Sequence, residues 1–394
     1  MKTPEISVLI PSYNHGRFIG KAIETVLNQT YENFELIIFD DCSTDNSRSV
    51  IDSFDDSRII KFFSPKNLGA VEALKKLSSM ARGQYIAVLN SDDYWAEDKL
   101  SLQLEYLKEN REVLAAFTYA ACVDEKGNIL TEIDVPYAYI FYQNNRSRRE
   151  WIKDFLTRGN CLCHPSVLIR TEIYRDRLQF NHFYRQLPDF DLWLQLLKLG
   201  DIYVFPETLT YHRRVGELNT SAATPENAIR HMNELENICS QFISSISAEE
   251  FICIFDSCLD EKCCCQDKSV EKLLLLQKLS EQFNHLVPSF LKEVFSLGYN
   301  EKIFIDVSER FGLQKLFKTT AVASKCIETN NSKERHLLPQ NEISQLRKEN
   351  SELRRQFDEL LIKNNESVAF IDSLLNSNSW KITRPLRAIK EVLK

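Results

Sequence analysis

Glycine is scarce in this chain, with 10 residues in 394. None of them builds G-x-G-x-x-G, G-x-x-x-x-G-K-[ST] or G-x-S-x-G, so dinucleotide, P-loop and serine-hydrolase readings lose their main support. Long apolar runs are also missing: "LLLLQKL" at 273–279 is soon closed by charge, far short of the roughly 18 residues a membrane-spanning helix needs. Contact with a membrane is therefore expected to be peripheral. Positive charge is not in excess, since 49 Lys and Arg against 56 Asp and Glu leave a net charge of −7, which argues against a nucleic-acid partner. The 11 cysteines are odd in number and form no C-x-x-C pair. With no signal-peptide pattern ahead of them, reduced thiols in a cytosol are the simplest expectation. Cys253, Cys258, Cys263, Cys264 and Cys265 invite a zinc reading, but their spacing favours buried free thiols.

What is present is typical of a globular protein, with 43% hydrophobic and 27% charged residues. The length suits one large domain plus a smaller one, or two and a tail. "ISVLI" at 6–10 is a short β-branched run closed by Pro11, and "ELIIF" at 35–39 is another closed by Asp40 and Asp41; both read as buried parallel strands. Between them Phe18, Ile19, Ala22, Ile23, Val26 and Leu27 recur at helical spacing. The alternation continues with a helix in "DNSRSVIDSF", a strand in "RIIKFF", a helix in "GAVEALKKLSSMA" and a strand in "YIAVL", then a helix in "KLSLQLEYLKEN". This is an α/β fold with a parallel sheet at its centre. Ligands of such sheets sit beyond the carboxyl ends of the strands, which here are "PSYN", "DDCSTD", "SPKN" and "NSDD".

"VLNSDDYW" at 88–95 ends an apolar run with two adjacent aspartates. Carboxylates beyond a buried strand are partly desolvated and need a cation or donors, and Asp92 beside Asp93 invites a divalent metal. Few hard oxygen ligands suit Mg²⁺ or Mn²⁺ shared with substrate phosphates. The plain alternative is that Ser and Asp cap a following helix, and Asp40 to Asp45 admit the same reading. Tyr13 and Asp41 fall at the same sheet edge, where a ring stacks on a base and a carboxylate accepts from a base imide.

In order and spacing, "SVLIPSYNHGRFIGKAIETVLNQTYENFELIIFDDCSTDNS", "NLG" and "ARGQYIAVLNSDD" resemble family 2 glycosyltransferases with the GT-A fold, a Rossmann-like mixed sheet with helices on both faces. The resemblance runs from residue 6 to about 215. It implies a hexosyltransferase-like inverting enzyme that moves a sugar from a nucleotide-diphosphate-sugar donor to a glycan or lipid-linked acceptor, in cell-surface polysaccharide assembly. Carried over by position, Pro11, Ser12, Tyr13 and Asp41 would contact the donor base, Asp92 would lie near the ribose, and Asp93 would hold Mg²⁺ or Mn²⁺. In "LPDFDLWLQLL" the resemblance aligns the catalytic base with Asp189; Asp191 is a helix-start or orienting residue, and Trp193 walls the acceptor site. His164 in "CHPSVLIR" falls at the acceptor side, against the commoner role of a lone His as a satisfied structural residue. The sequence departs from the family at Asn90, at Leu74 and Lys75, at Pro188, and at His212, Arg213 and Arg214, which permute a Y-R-x-H pattern. One of these three cations is expected to meet the diphosphate. Those departures keep open a non-catalytic coiled-coil scaffold with a degenerate transferase domain; a sugar-nucleotide nucleotidyltransferase lacks its G-x-G-rich loop and lysine.

The resulting division is a catalytic domain at 1–225, a helical region at 226–335, a coiled coil at 336–377 and a basic amphipathic tail at 378–394. Ile343, Leu346, Leu353, Phe357, Leu360, Ile371 and Leu374 keep a heptad seam, and Asn350 and Asn364 within it favour a homo-oligomer or partner coil over packing on the chain's own domain. In the tail, Trp380 and five cations suit an anionic leaflet. The expected location is the cytoplasm, at the inner face of the plasma membrane.

Overall fold

The computed structural model describes residues 3–135, 137–214, 224–255 and 267–297. The heptad seam, the basic tail, Cys258 and Cys263 to Cys265 lie outside these residues.

The first half of the chain alternates as its pattern dictates. Strands β1 (Ile6–Ser12), β2 (Phe34–Asp40), β3 (Ile59–Phe63) and β4 (Tyr85–Val88) are joined by helices α1 (Ile19–Leu27), α2 (Ser47–Asp52) and α3 (Ala70–Met80). A two-residue strand β5 (Tyr94–Trp95) and helix α4 (Lys99–Glu109) follow. Then come β6 (Val113–Val123), α5 (Arg148–Arg158), β7 (Leu168–Arg170), α6 (Thr171–Asp176), α7 (Pro188–Leu199) and β8 (Asp201–Arg213). The strands form one eight-stranded sheet in the order β3-β2-β1-β4-β7-β6-β8-β5. β1 to β4 are parallel and β6 is parallel to β8, while β7 and β5 run against their neighbours, so the sheet is mixed.

Both faces of the sheet are covered, which is why its strands read as continuous apolar runs rather than alternating ones. Leu9, Ile37, Ile86 and Val88 turn to a core shared with Leu77 of α3, Phe155 of α5 and Trp193 of α7. Val8, Ile10, Leu36 and Ile38 turn the other way, onto Ile23 of α1 and Leu104 of α4. Beyond the sheet, helices α8 (Pro225–Ser245), α9 (Ala248–Phe255), α10 (Lys268–Gln282) and α11 (Val287–Leu297) add Ile238, Phe251 and Leu276 to the first core. Among the described residues no single helix is long and apolar enough to cross a membrane.

Three local expectations change. Pro11 does not close β1 but lies inside it, opposite Phe39 of β2, where pairing with β4 has already ended at Leu9; its missing N–H therefore breaks no ladder bond. Asp92 and Asp93 do not cap a helix, because β5 follows them and α4 begins only at Lys99. The long β6–β8 pair shifts register at Thr118 to Ala120, where the chain of β8 passes through Pro206 and Glu207, and that bulge hides the strand from any period-two pattern.

Candidate active site

β1 and β2 end side by side, with Ser12 opposite Asp40. Past them the chain bends through left-handed backbone at Asn14 and Cys42, with φ of 55° and 66°, so the two loops face each other. The Asn14 N–H donates to Ser43 Oγ at 2.9 Å, the Thr44 N–H to Asn14 Oδ1 at 2.8 Å, and the Gly16 N–H to Asp45 Oδ2 at 2.9 Å. A Cβ on Gly16 would lie 2.0 Å from Asn46 Oδ1 and 2.9 Å from the Ser47 nitrogen, so only glycine allows the approach. Asp45, one residue ahead of the Asn46 N-cap of α2, accepts the Ser47 N–H at 2.9 Å, while Asp40 receives Arg48 Nε at 2.9 Å and the Ser43 N–H at 3.0 Å. Asp41 takes the N–H groups of Leu68 and Gly69, each at 2.7 Å, and so fixes the loop ahead of α3. Its remaining lone pairs are what a ligand N–H would meet. Tyr13 is 46% exposed at this edge, and the buried Ser12 Oγ has no hydrogen-bond partner.

The turn after β4 brings Asp92 and Asp93 to the same end of the sheet, both buried. Asp93 Oδ1 accepts the Arg213 N–H at 2.7 Å and lies 3.2 Å from His212 Nδ1, while Oδ2 accepts from Asn90 Nδ2 at 3.0 Å. Burial pulls the His212 imidazolium down, but the Asp93 carboxylate and its hydrogen bond outweigh that, and the group titrates above its ordinary value. Burial, with the Asp93 charge beside it, pushes Asp92 up to about 7. Arg213 is spent on backbone, with Nε on the Asp92 carbonyl at 2.8 Å and Nη1 on those of Asp124 and Glu125 at 2.9 and 2.7 Å. Its guanidinium lies between the Phe18 and Tyr94 rings, 4.9 and 5.3 Å from their centroids. His15 Nδ1 lies 2.7 Å from Ser91 Oγ, tying the first loop to this turn. Among the described residues no cluster of three His, Cys, Asp or Glu side chains is set to hold a metal ion. Asp92 and Asp93 are two adjacent buried carboxylates, the hard oxygen donors a divalent cation takes, and water and substrate phosphates would have to complete its shell.

Asp189 occupies the first turn of α7, behind Pro188 as a favourable first residue. Its Oδ2 accepts from Asn160 Nδ2 at 2.9 Å and its Oδ1 takes the Phe190 N–H at 2.9 Å. Burial raises it to about 6, against the pull of those two bonds and of the His212 charge. Asp191, two residues on, belongs elsewhere: with Gln179, Phe183, Gln195, Lys198 and Phe242 it lines a separate cavity of about 560 Å³ between α7 and α8. It accepts from Gln195 Nε2 at 3.0 Å, and burial raises it to about 6. Trp193 is fully buried, edge-on to Phe117 and His164 at 4.9 and 5.4 Å, so it supports the helix from within the core instead of walling a cleft. His164 lies 3.3 Å from the Tyr174 hydroxyl, and burial lowers it to about 4, the satisfied structural histidine of the plainer reading.

The sheet end thus gathers Ser12, Tyr13, Asp41, Asp92 and Asp93, while Asp189 begins α7 with Asn160 bonded to it. The family model "Glycosyl transferase family 2" matches residues 7–171. An uncharacterized glycosyltransferase of Haemophilus influenzae is 41% identical over 238 residues, covering 59% of this chain and 88% of that protein. The chain belongs to glycosyl transferase family 2. The putative teichuronic acid biosynthesis glycosyltransferase TuaG of Bacillus subtilis is 33% identical over 215 residues, covering 54% of this chain and 80% of that protein. The UDP-Glc:alpha-D-GlcNAc-diphosphoundecaprenol beta-1,3-glucosyltransferase WfaP of Escherichia coli is 30% identical over 233 residues, covering 59% of this chain and 86% of that protein. In this family 2 glycosyltransferase, the residues that sequence reasoning missed are Asn160 and Asn90 as donors to the two key carboxylates, and the division of labour between His212 and Arg213. No local pattern signals Asn160, whose partner is 29 residues away.

Proposed function

We propose that the chain is an inverting, metal-dependent transferase that moves a sugar from a nucleotide-diphosphate-sugar donor to a glycan or lipid-linked acceptor in cell-surface polysaccharide assembly. The observation that supports this best is that Asp92 and Asp93 lie buried beyond β4 at the sheet end where the loops carrying Tyr13 and Asp41 also emerge. Tyr13 and Asp41 would hold the base of the donor and Asp92 its ribose. Mg²⁺ or Mn²⁺, held by Asp93 with His212 beside it, would supply positive charge to the departing diphosphate. Asp189 takes the proton of the acceptor hydroxyl as that oxygen bonds to the anomeric carbon, and the bond from that carbon to the diphosphate breaks on the opposite face. A carboxylate held near 6 suits this work at neutral pH. WfaP, whose name gives a UDP-glucose donor and a diphosphoundecaprenol-linked acceptor, supports this substrate class.

Residues 378–394 would hold the enzyme at an anionic cytoplasmic leaflet, and the 336–377 seam would join it to a second copy. Turnover of a panel of nucleotide sugars, with and without Mn²⁺, tests the reading directly. Metal-dependent transfer that is lost in Asp189→Asn while donor binding persists agrees with it. A wild-type chain that binds no donor leaves the scaffold reading instead.

A further inference from the structure

The connection from β6 to α5 exposes apolar side chains for which the fold has no use. Ile129, Ile133, Tyr137 and Tyr139 are 61%, 97%, 75% and 46% exposed. Single exposed apolar residues need no explanation, but four within 11 residues of one connection form a patch that does. The connection is also anchored along its length. Asp124 accepts the N–H groups of Lys126 and Asn128 at 2.8 Å, and the Leu130 N–H returns to the Cys122 carbonyl at 2.8 Å. Asp134 takes the N–H and hydroxyl of Thr131 at 2.8 and 2.9 Å, and Asn145 exchanges two 2.7 Å bonds with the backbone of Val204 on β8. The side chains are therefore presented from a tethered backbone.

Their order matters more than their exposure. Ala138 is buried and Ile140 packs against the core, so Tyr137 and Tyr139 turn outward. Phe141 then meets the His212 ring edge to face at 5.7 Å, and His212 is the residue on Asp93. Tyr142 joins the row, 5.6 Å from Tyr139 and 5.0 Å from Tyr119 of β6. Tyr137 adopts φ of 64°, a left-handed conformation that a bulky residue takes only with some strain.

The geometry points to Tyr137 and Tyr139 as a stacking platform for a sugar ring of the acceptor. This rests on the transferase reading above. A pyranose has one face of C–H groups and a rim of hydroxyls, and tyrosine offers an apolar face with a hydroxyl at its edge. The position also fits an acceptor. The loops assigned to the nucleotide follow β1 and β2 in one half of the sheet, Asp92 and Asp93 follow β4, and the aromatic row comes from β6 in the other half. An acceptor on that row lies one ring contact, Phe141 on His212, from Asp93. A lipid surface is the weaker occupant, because Glu132 and Asp134 are exposed in the same patch and an anionic leaflet repels them.

The test uses full-length Tyr137→Ala, Tyr139→Ala and the double variant, whose sites are exposed and whose fold is checked by circular dichroism. Donor hydrolysis without acceptor reports on the transferase reading alone. Transfer to methyl glycosides of glucose, galactose and N-acetylglucosamine reports on the platform. The double variant should keep donor hydrolysis within about twofold and raise the acceptor KM by about tenfold or more, as loss of aromatic stacking implies, with Tyr139→Trp restoring most of it. An unchanged acceptor KM beside intact donor hydrolysis overturns the platform. So does an Ile133→Ser or Tyr137→Ala defect seen only with a lipid-linked acceptor in anionic vesicles, which would make the patch a membrane wedge. Should wild-type protein hydrolyse no donor, saturation-transfer NMR with the same methyl glycosides decides: signal lost in the double variant supports the platform, and signal absent or unchanged overturns it.

Discussion

Nδ1 of His212 lies 3.2 Å from Oδ1 of Asp93 although 119 residues separate them, and the pair closes the end of the sheet where β4 and β8 finish. The imidazole in that place hydrogen-bonds one carboxylate, while Asp92, raised to about 7 by burial and by its neighbour, has His15 Nδ1 at 4.0 Å. The proposed divalent cation would bind at this pair.

Adding Mn²⁺ should therefore stabilise the protein, and the rise in Tm reads binding without any need for turnover. Asp93→Ala should abolish that rise and lower metal-dependent transfer by about two orders of magnitude, given the several kcal/mol a metal supplies to a leaving group. A Tm response in Asp93→Ala equal to that of wild type would show that the metal is held elsewhere.

Asp189 gives a pH dependence of defined sign. The base works only when deprotonated, so kcat should rise with pH through about 6 and level off above it. Stability runs the other way. A carboxyl whose folded pKa is raised from 3.8 to about 6 contributes stability that is fully present below 3.8 and is lost as pH rises through about 6. Asp189→Asn should thus lose transfer, keep donor affinity, and unfold at a higher temperature than wild type at pH 8, by an amount on the order of 1–3 kcal/mol. Near pH 3.5 the two proteins should melt together. Equal Tm values at pH 8 would mean that Asp189 is not desolvated as the structure has it.

Arg213 and Arg214 are adjacent cations with separable roles. Arg213 donates to the carbonyls of Asp92, Asp124 and Glu125, of which the first is buried, so Arg213→Ala leaves that acceptor bare and should cost about 1–3 kcal/mol of stability. Arg214 is fixed through its N–H to the Val123 carbonyl at 2.8 Å, which leaves its guanidinium as the expected partner of a diphosphate. Arg214→Ala should raise the donor KM by about tenfold and change stability by less than about 0.5 kcal/mol. Chemical denaturation and donor kinetics on the two variants separate the roles, and a reversal of the two effects would refute the assignment.

The first hundred residues were legible because β1, β2 and β4 are short runs buried on both faces, and α1 and α3 carry clear apolar stripes between the strands. Tyr13, Asp41, Asp92 and Asp93 could be found because they directly follow those strands. The second half of the sheet was harder. Tyr119 and Thr208 pair across a bulge beside Pro206, which destroys the two-residue period, and Leu168 to Arg170 is too short to show one. Asp191 and Trp193 share a motif with Asp189, and nothing in the motif separates their surroundings. A turn of 100° per residue instead sends Asp191 to the α8 side and Trp193 into the core. Asn160 and His212 meet their carboxylates only through the tertiary fold.

Gly16 offers a test of how tightly the nucleotide end depends on its loops. Any Cβ there meets the backbone nitrogen of Ser47 at 2.9 Å as well as the Asn46 side chain, and only the latter can swing away. Gly16→Ala must therefore part the 14–16 and 43–47 loops, stretching the bonds from Gly16 to Asp45 and from Asn14 to Ser43. A loss of about 1–3 kcal/mol is expected from such overpacking. Because Tyr13 and His15 flank the displaced segment, the donor KM should rise several-fold with kcat less affected. Gly20→Ala is the matched control: its Cβ would sit 3.5 Å from Val50 Cγ1, an ordinary contact, within helix α1. Alanine there should stabilise by up to about 1 kcal/mol on helix propensity alone, leaving donor kinetics unchanged. If both variants behave alike, the close approach at Gly16 does not shape the donor site.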